Sequence, residues 1–113
     1  MPTKSLAEFH HFEALDLRAG RIVRVEDAAT RKPTYRLTVD LGPEIGCKVS
    51  CGAFRNYEKE RLLGKTVICI TNFRPKKMGP EISEVLVLGI PDHAGATIYL
   101  TTESPVPLGG QVF

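Results

Sequence analysis

The sequence predicts an all-β protein, a small five-stranded barrel with little helix, and three observations carry that expectation. Apolar and polar residues alternate with period two across 15–25, 35–41 and 45–51, the spacing of half-buried strands. Two short runs rich in β-branched residues, Val67–Ile70 and Val85–Leu88, are too short for ordinary helices and read as strands buried on both faces. Helical signals are confined to the start of the chain and to residues 56–63.

In chain order, Ser5-Leu6-Ala7-Glu8 has the form of a capping box, with Ser5 as the cap of a helix of about two turns. Leu6, Phe9 and Ala14 would form its apolar side, and a helix so short must dock on the barrel or on a second subunit. The first strand places Leu15, Leu17, Ala19, Val23 and Val25 on one face, with a bulge expected at Gly20-Arg21. Tyr35, Leu37, Val39 and Leu41 form the inward face of the second strand, and Ile45, Cys47, Val49 and Cys51 that of the third. Asn56–Leu63 predicts a helix that turns Tyr57 and Leu62 to the barrel and stops at Gly64. Thr66–Asn72 and Glu84–Gly89 complete the strands. Three strands, a helix and two strands is the order of the OB-fold, a Greek-key barrel with the helix between strands 3 and 4. Residues 1–113 are expected to be one domain, with an N-terminal helix within 1–14 and a C-terminal extension, 96–113, that adds a strand and a dimerisation surface.

Composition narrows the function. At 42% hydrophobic and 25% charged residues the chain has the make-up of an ordinary globular protein, and a net charge of +2 means that any anion site must be local. The start of the chain carries no signal-peptide pattern and no run approaches a membrane span, so a cytoplasmic protein without membrane insertion is expected. Three cysteines, Cys47, Cys51 and Cys69, fit reduced thiols. With His10, His11 and His93 they supply ligand types for zinc, but no CxxC or HxxxH pair forms half a site, and no metal or cofactor is expected. P-loop, nucleophile elbow and HExxH patterns are all missing, so the expectation is a binding protein and not an enzyme.

The cations then acquire meaning. In an OB-fold the loops joining strands 1 to 2 and 4 to 5 flank the ligand face, and these loops hold Arg31 and Lys32, and Arg74, Lys76 and Lys77. Arg36 and Lys48 would add charge on the outward faces of strands 2 and 3. Lysines scatter over the loops of any small domain; the functional alternative is a groove that attracts phosphates or acidic protein segments. Outward positions such as Thr38, Asp40 and Ser50 offer no aromatic platform, which argues against unstacked single strands and for folded RNA or polypeptide. Phe54, Phe73 and Met78 would supply adaptable apolar contacts, Phe73 and Met78 from a loop held between strands 4 and 5.

Four stretches carry a family resemblance. Phe12–Val23 (FEALDLRAGRIV), Val39–Gly46 (VDLGPEIG), Asn72–Lys77 (NFRPKK) and Ser83–Gly89 (SEVLVLG) resemble the tRNA-binding-domain family, and within it the CsaA-like export chaperones, as does Pro105-Val106-Pro107. The resemblance implies a homodimeric OB-fold protein without enzymatic activity that binds unfolded preproteins and cooperates with the SecA export motor. Its alternative implication is structure-specific binding of tRNA through the same basic loops. By position it brings Asn72, Phe73, Ser83 and Glu84 into the candidate site. The sequence departs from the pattern at Ser50–Phe54 and at Arg74.

Overall fold

The computed structural model describes residues 1–113 and builds its barrel around β2 (Tyr35–Asp40). Tyr35, Leu37 and Val39 are buried on one face of this strand while Arg36, Thr38 and Asp40 turn away, as the alternation requires. On one side β2 pairs antiparallel with β1 (Leu17–Asp27), and on the other with β3 (Cys47–Gly52). Beyond β1 lie β4 (Thr66–Ile70) and then, past the hairpin strands β5 (Lys76–Met78) and β6 (Glu81–Ser83), β7 (Leu86–Val87). The sheet order is β3-β2-β1-β4-β7. It curls nearly shut where the N–H groups of Glu84 and Val85 both donate to the Val49 carbonyl, at 2.7 and 3.1 Å. This is the OB-fold. Ile22, Leu37, Val39, Leu41, Val67 and Cys69 fill the barrel, and Leu62 of the short helix α2 (Lys59–Leu62) plugs its end. Gly64 ends that helix at φ +83°, in the left-handed region that glycine tolerates.

Several elements differ from the sequence expectation. The phase of β1 shifts at Val23, which is bulged between Ile22 and Arg24 and exposed, so Ile22 takes the core position expected of Val23. Gly20 is no bulge: it stays in register with Val67 of β4, next to Arg21, which pairs with both β4 and β2, and a Cβ at Gly20 would stand 2.5 Å from Cγ1 of Val39. The phase of β3 is inverted. Lys48 and Ser50 lie opposite Val39 and Leu37 and share the barrel side, while Cys47, Val49 and Cys51 share the outer side with Asp40, Thr38 and Arg36. The reason is that the outer side of β3 is itself partly buried, at Val49 and Cys51, so apolar character no longer marks the inward face. The fifth strand is buried on one side only, with Val85 and Val87 inside and Leu86 exposed.

The ends of the chain also depart. Helix α1 (Phe9–Glu13) starts later than expected and is capped by Glu8, not Ser5; the Glu8 N–H donates to Nδ1 of His11 at 2.9 Å. It buries none of its residues. The C-terminal extension forms the expected extra strand, β9 (Thr97–Tyr99), on β8 (Gly89–Pro91). The remainder is not wholly surplus to the barrel, because Gly109 and Gly110 exchange backbone hydrogen bonds with Ala19, and the Val112 N–H donates to the Leu17 carbonyl. No helix is long and apolar enough to cross a membrane.

The crowding at Gly20 gives a test of the barrel's packing. Gly20→Ala must displace both Val39 and Leu41, and the expected loss is about 1–3 kcal/mol, the usual range for overpacking. Urea unfolding reads it as a lower midpoint at an unchanged m-value.

Candidate binding groove

The stretch between β4 and β7 folds into a hairpin of its own. Gly79-Pro80 is a two-residue turn closed by Met78 and Glu81, and Gly79 takes φ +62° at the first central position, where hairpin turns call for glycine. Lys76 and Lys77 therefore lie on a strand, not on an irregular loop. An isolated two-stranded hairpin is marginal in water, and this one is held by three attachments. Glu84 Oε1 accepts from the Val49 N–H at 3.0 Å, and Ser83 Oγ accepts from the Cys51 N–H at 3.0 Å. The third is Glu81, a residue 8% exposed, whose carboxylate accepts from the Ala29 N–H at 2.9 Å and from the Arg36 guanidinium at 2.8 and 2.9 Å. Arg36 also pairs with Glu26 at 3.2 Å.

Facing the hairpin is the β1–β2 loop. The hydroxyls of Thr30 and Thr34 both donate to the Lys32 carbonyl, at 2.6 and 2.8 Å, and fold this loop into a compact wall. Between loop and hairpin runs a groove of about 770 Å³. Its floor is Cys51-Gly52-Ala53, and Pro33, Met78 and Pro80 give it apolar sides. Arg31, Lys32, Lys76 and Lys77 line it as well, and none of them takes part in an ion pair. No carboxylate and no aromatic ring lines the groove. Burial pushes the Cys51 thiol up, so the floor is a neutral surface near pH 7.

The structure divides the residues singled out from the sequence. Arg31, Lys32, Lys76, Lys77 and Met78 meet in the groove. Arg36 does not offer free charge, because it is neutralised by Glu26 and Glu81. Lys48 lies on the opposite side of the sheet from Arg36, through the inverted phase of β3. Phe54 is no surface contact: it is 3% exposed and belongs to the core, where its ring packs on Gly52. Asn72 locks the entry to β1, accepting from the Asp16 N–H and donating to the Ala14 carbonyl, each at 2.8 Å. Phe73 and Arg74 are exposed outside the groove. Ser83 and Glu84 spend hydrogen bonds on the edge of β3. Sequence reasoning missed Glu81; Gly at the first turn position of Met78-Gly79-Pro80-Glu81 was the available sign of a hairpin.

A Greek-key barrel with a cation-lined groove between its β1–β2 loop and its β4–β7 connection is an OB-fold binding domain. The chain belongs to the family described as "Putative tRNA binding domain", whose model matches residues 17–111. Among curated relatives it is 36% identical over 105 residues to the methionine–tRNA ligase of Methanocaldococcus jannaschii, an alignment covering 93% of this chain and 16% of that enzyme. It is 35% identical over 105 residues to the methionine–tRNA ligase of Pyrococcus horikoshii, covering 93% and 14%. The chain thus spans about a sixth of the length of such relatives. Two solved structures match along their entire length. The CsaA chaperone protein of Picrophilus torridus superposes with a TM-score of 0.91 at 35% identity, covering 96% of this chain and 100% of that one. Chaperone CsaA of Bacillus anthracis gives 0.90 at 34% identity, with the same coverage of 96% and 100%.

Glu81 makes the groove's geometry sensitive to acid. Its carboxyl is held below the ordinary range, first by the Ala29 N–H and then by Arg36. A carboxylate depressed by folding contributes stability that is present above its unfolded pKa and lost as pH falls through the folded value. Stability should therefore fall on acidification below about pH 4–5, and Glu81→Gln should flatten part of that limb, with Glu26 supplying the rest. Thermal unfolding at stepped pH checks this, and an unaltered acid limb in the variant would remove Glu81 as the strut.

Proposed function

We propose that the chain is a non-catalytic, CsaA-like chaperone that holds extended segments of non-native polypeptide in this groove. The observation that carries the reading is the groove's mixed lining: an apolar floor and sides with four cations that no carboxylate neutralises. Apolar side chains gain from such a floor and scattered acidic groups gain from the cations, whereas a phosphate backbone gains only from the cations. The CsaA likeness over the full length of both solved chaperones supports the same reading. Holding by mass action needs no nucleotide cycle; a micromolar Kd, about −8 kcal/mol, permits both capture and release. Preproteins awaiting export in a reducing cytoplasm, with the SecA motor as the receiving partner, are the clients this role implies.

A second reading, tRNA binding, is favoured by the family match and by the methionine–tRNA ligase relatives. In that reading Arg31, Lys32, Lys76 and Lys77 meet phosphates along a folded RNA.

Replacement of Lys76 and Lys77 together by Ala separates the two. Both are exposed and unpaired, so stability should stay within about 0.5 kcal/mol. Under the first reading the variant loses most of its suppression of aggregation of a chemically denatured enzyme, at the same molar ratio at which the parent protein suppresses it. Under the second, suppression is unchanged while tRNA affinity falls and the slope of log K against log salt shallows by about one unit per lost contact.

The working form is proposed to be a homodimer. The Phe9 and Phe12 rings lie 6.0 Å apart, tilted by 43°, on a helix that buries none of its residues, and Phe113 stands free at the other end of the chain. Sedimentation at micromolar concentration is expected to give a dimer, and Phe9→Ala with Phe12→Ala a monomer with the barrel's unfolding unchanged. A monomeric parent protein would refute it.

A further inference from the structure

The binding mode can be taken a step further, resting on the polypeptide reading above. The groove touches Lys76, Lys77 and Met78, three successive residues of β5. Side chains alternate across a strand, so a cavity that meets three in a row meets the strand along its edge and not on one face. That edge has no partner: β5 pairs with β6 and with no other strand. Met78 and Glu81 close the two-residue turn and direct their backbone groups at each other, so by the antiparallel alternation Lys77 presents its N–H and C=O to the open side.

We propose that the open edge of β5 is a strand-addition site, in which an extended polypeptide segment pairs with Lys77 and becomes the third strand of the β5–β6 hairpin. Main-chain hydrogen bonds supply sequence-independent affinity, as in other edge-capture modes, and the groove supplies the selection. Met78 and Lys76 share the face of β5 that carries the buried Glu81, and Lys77 lies on the other, so the side of the added strand on the Met78 face lies over Cys51-Gly52-Ala53 and carries apolar residues, while the side on the Lys77 face carries Asp or Glu. The charge also decides against a second copy of this chain as occupant. Two β5 edges paired antiparallel through Lys77 would set that lysine against its own counterpart, an arrangement edge strands use to prevent self-association. An acidic, alternating client meets the opposite sign.

The test uses the full chain and synthetic eight-residue peptides of alternating Val and Glu. N-methylation of alternate residues removes N–H groups from one edge of the peptide strand at a time. The expected result is that one phase of N-methylation weakens binding at least tenfold and the other leaves it within about threefold, with a Val-Lys version binding at least tenfold more weakly. Amide hydrogen exchange at Lys77 should slow at least tenfold at saturating peptide. Equal effects of the two phases, or unchanged exchange at Lys77 with peptide bound, overturn strand addition while leaving polypeptide holding in place. Binding of tRNA with no binding of the Val-Glu peptide or of an unfolded client overturns this inference and the polypeptide reading together.

Discussion

The buried carboxylate of Glu81 is the interaction on which the groove depends. It joins the backbone of Ala29, 52 residues away in sequence, to the guanidinium of Arg36, and so fixes the hairpin against the β1–β2 loop. A carboxylate this enclosed is tolerable only because each oxygen has a partner; with Arg36 removed, an unpaired charge would remain in a poorly solvated site. The same pairing also raises Arg36 further above its already high pKa, through the hydrogen bonds it donates first to Glu26 and then to Glu81. One cation is thereby committed to structure, and the charge available to a ligand is confined to the groove's lining.

That division explains how a chain with a net charge of only +2 can present a basic site. Arg18, Arg24, Arg36, Arg55 and Lys59 are each matched by a nearby carboxylate. The cations of the groove are not, and they converge from the β1–β2 loop and from β5 onto one concavity, where their fields add. Net charge is a poor guide here because it averages paired and unpaired groups.

Much of the barrel was legible in the sequence, and the exceptions have physical causes. Period-two alternation located β2 and its inward face without error, because one side of β2 is core and the other is polar. It failed for β3, whose outer side is itself partly buried at Val49 and Cys51, and Ser50 can face inward because its hydroxyl accepts from the Val87 N–H at 3.2 Å. In β1 alternation was broken by a bulge at Val23 that no glycine announced. Of the site, the positions of Arg31, Lys32, Lys76, Lys77 and Met78 followed from knowing which loops flank an OB-fold's face. Phe54 and Arg36 did not follow, since neither the burial of an aromatic nor the pairing of an arginine with a residue 45 positions away is written in local pattern.

The groove itself is a consequence of how the barrel closes. Between β3 and the last barrel strand no ladder forms, and side chains help to close the seam: Ser50 toward Val87, Ser83 toward Cys51, Glu84 toward Val49. Because side chains finish the seam, the chain from Lys76 to Ser83 is free to turn outward as a hairpin instead of lying flat along β3. A full ladder would have satisfied the same backbone groups and left no concavity. The outward turn creates a wall, the wall has an edge, and the edge carries lysines, which keep it from pairing with its own kind while leaving it open to a strand of opposite charge. Closure, groove and charge are thus one arrangement, and Glu81 sets its width.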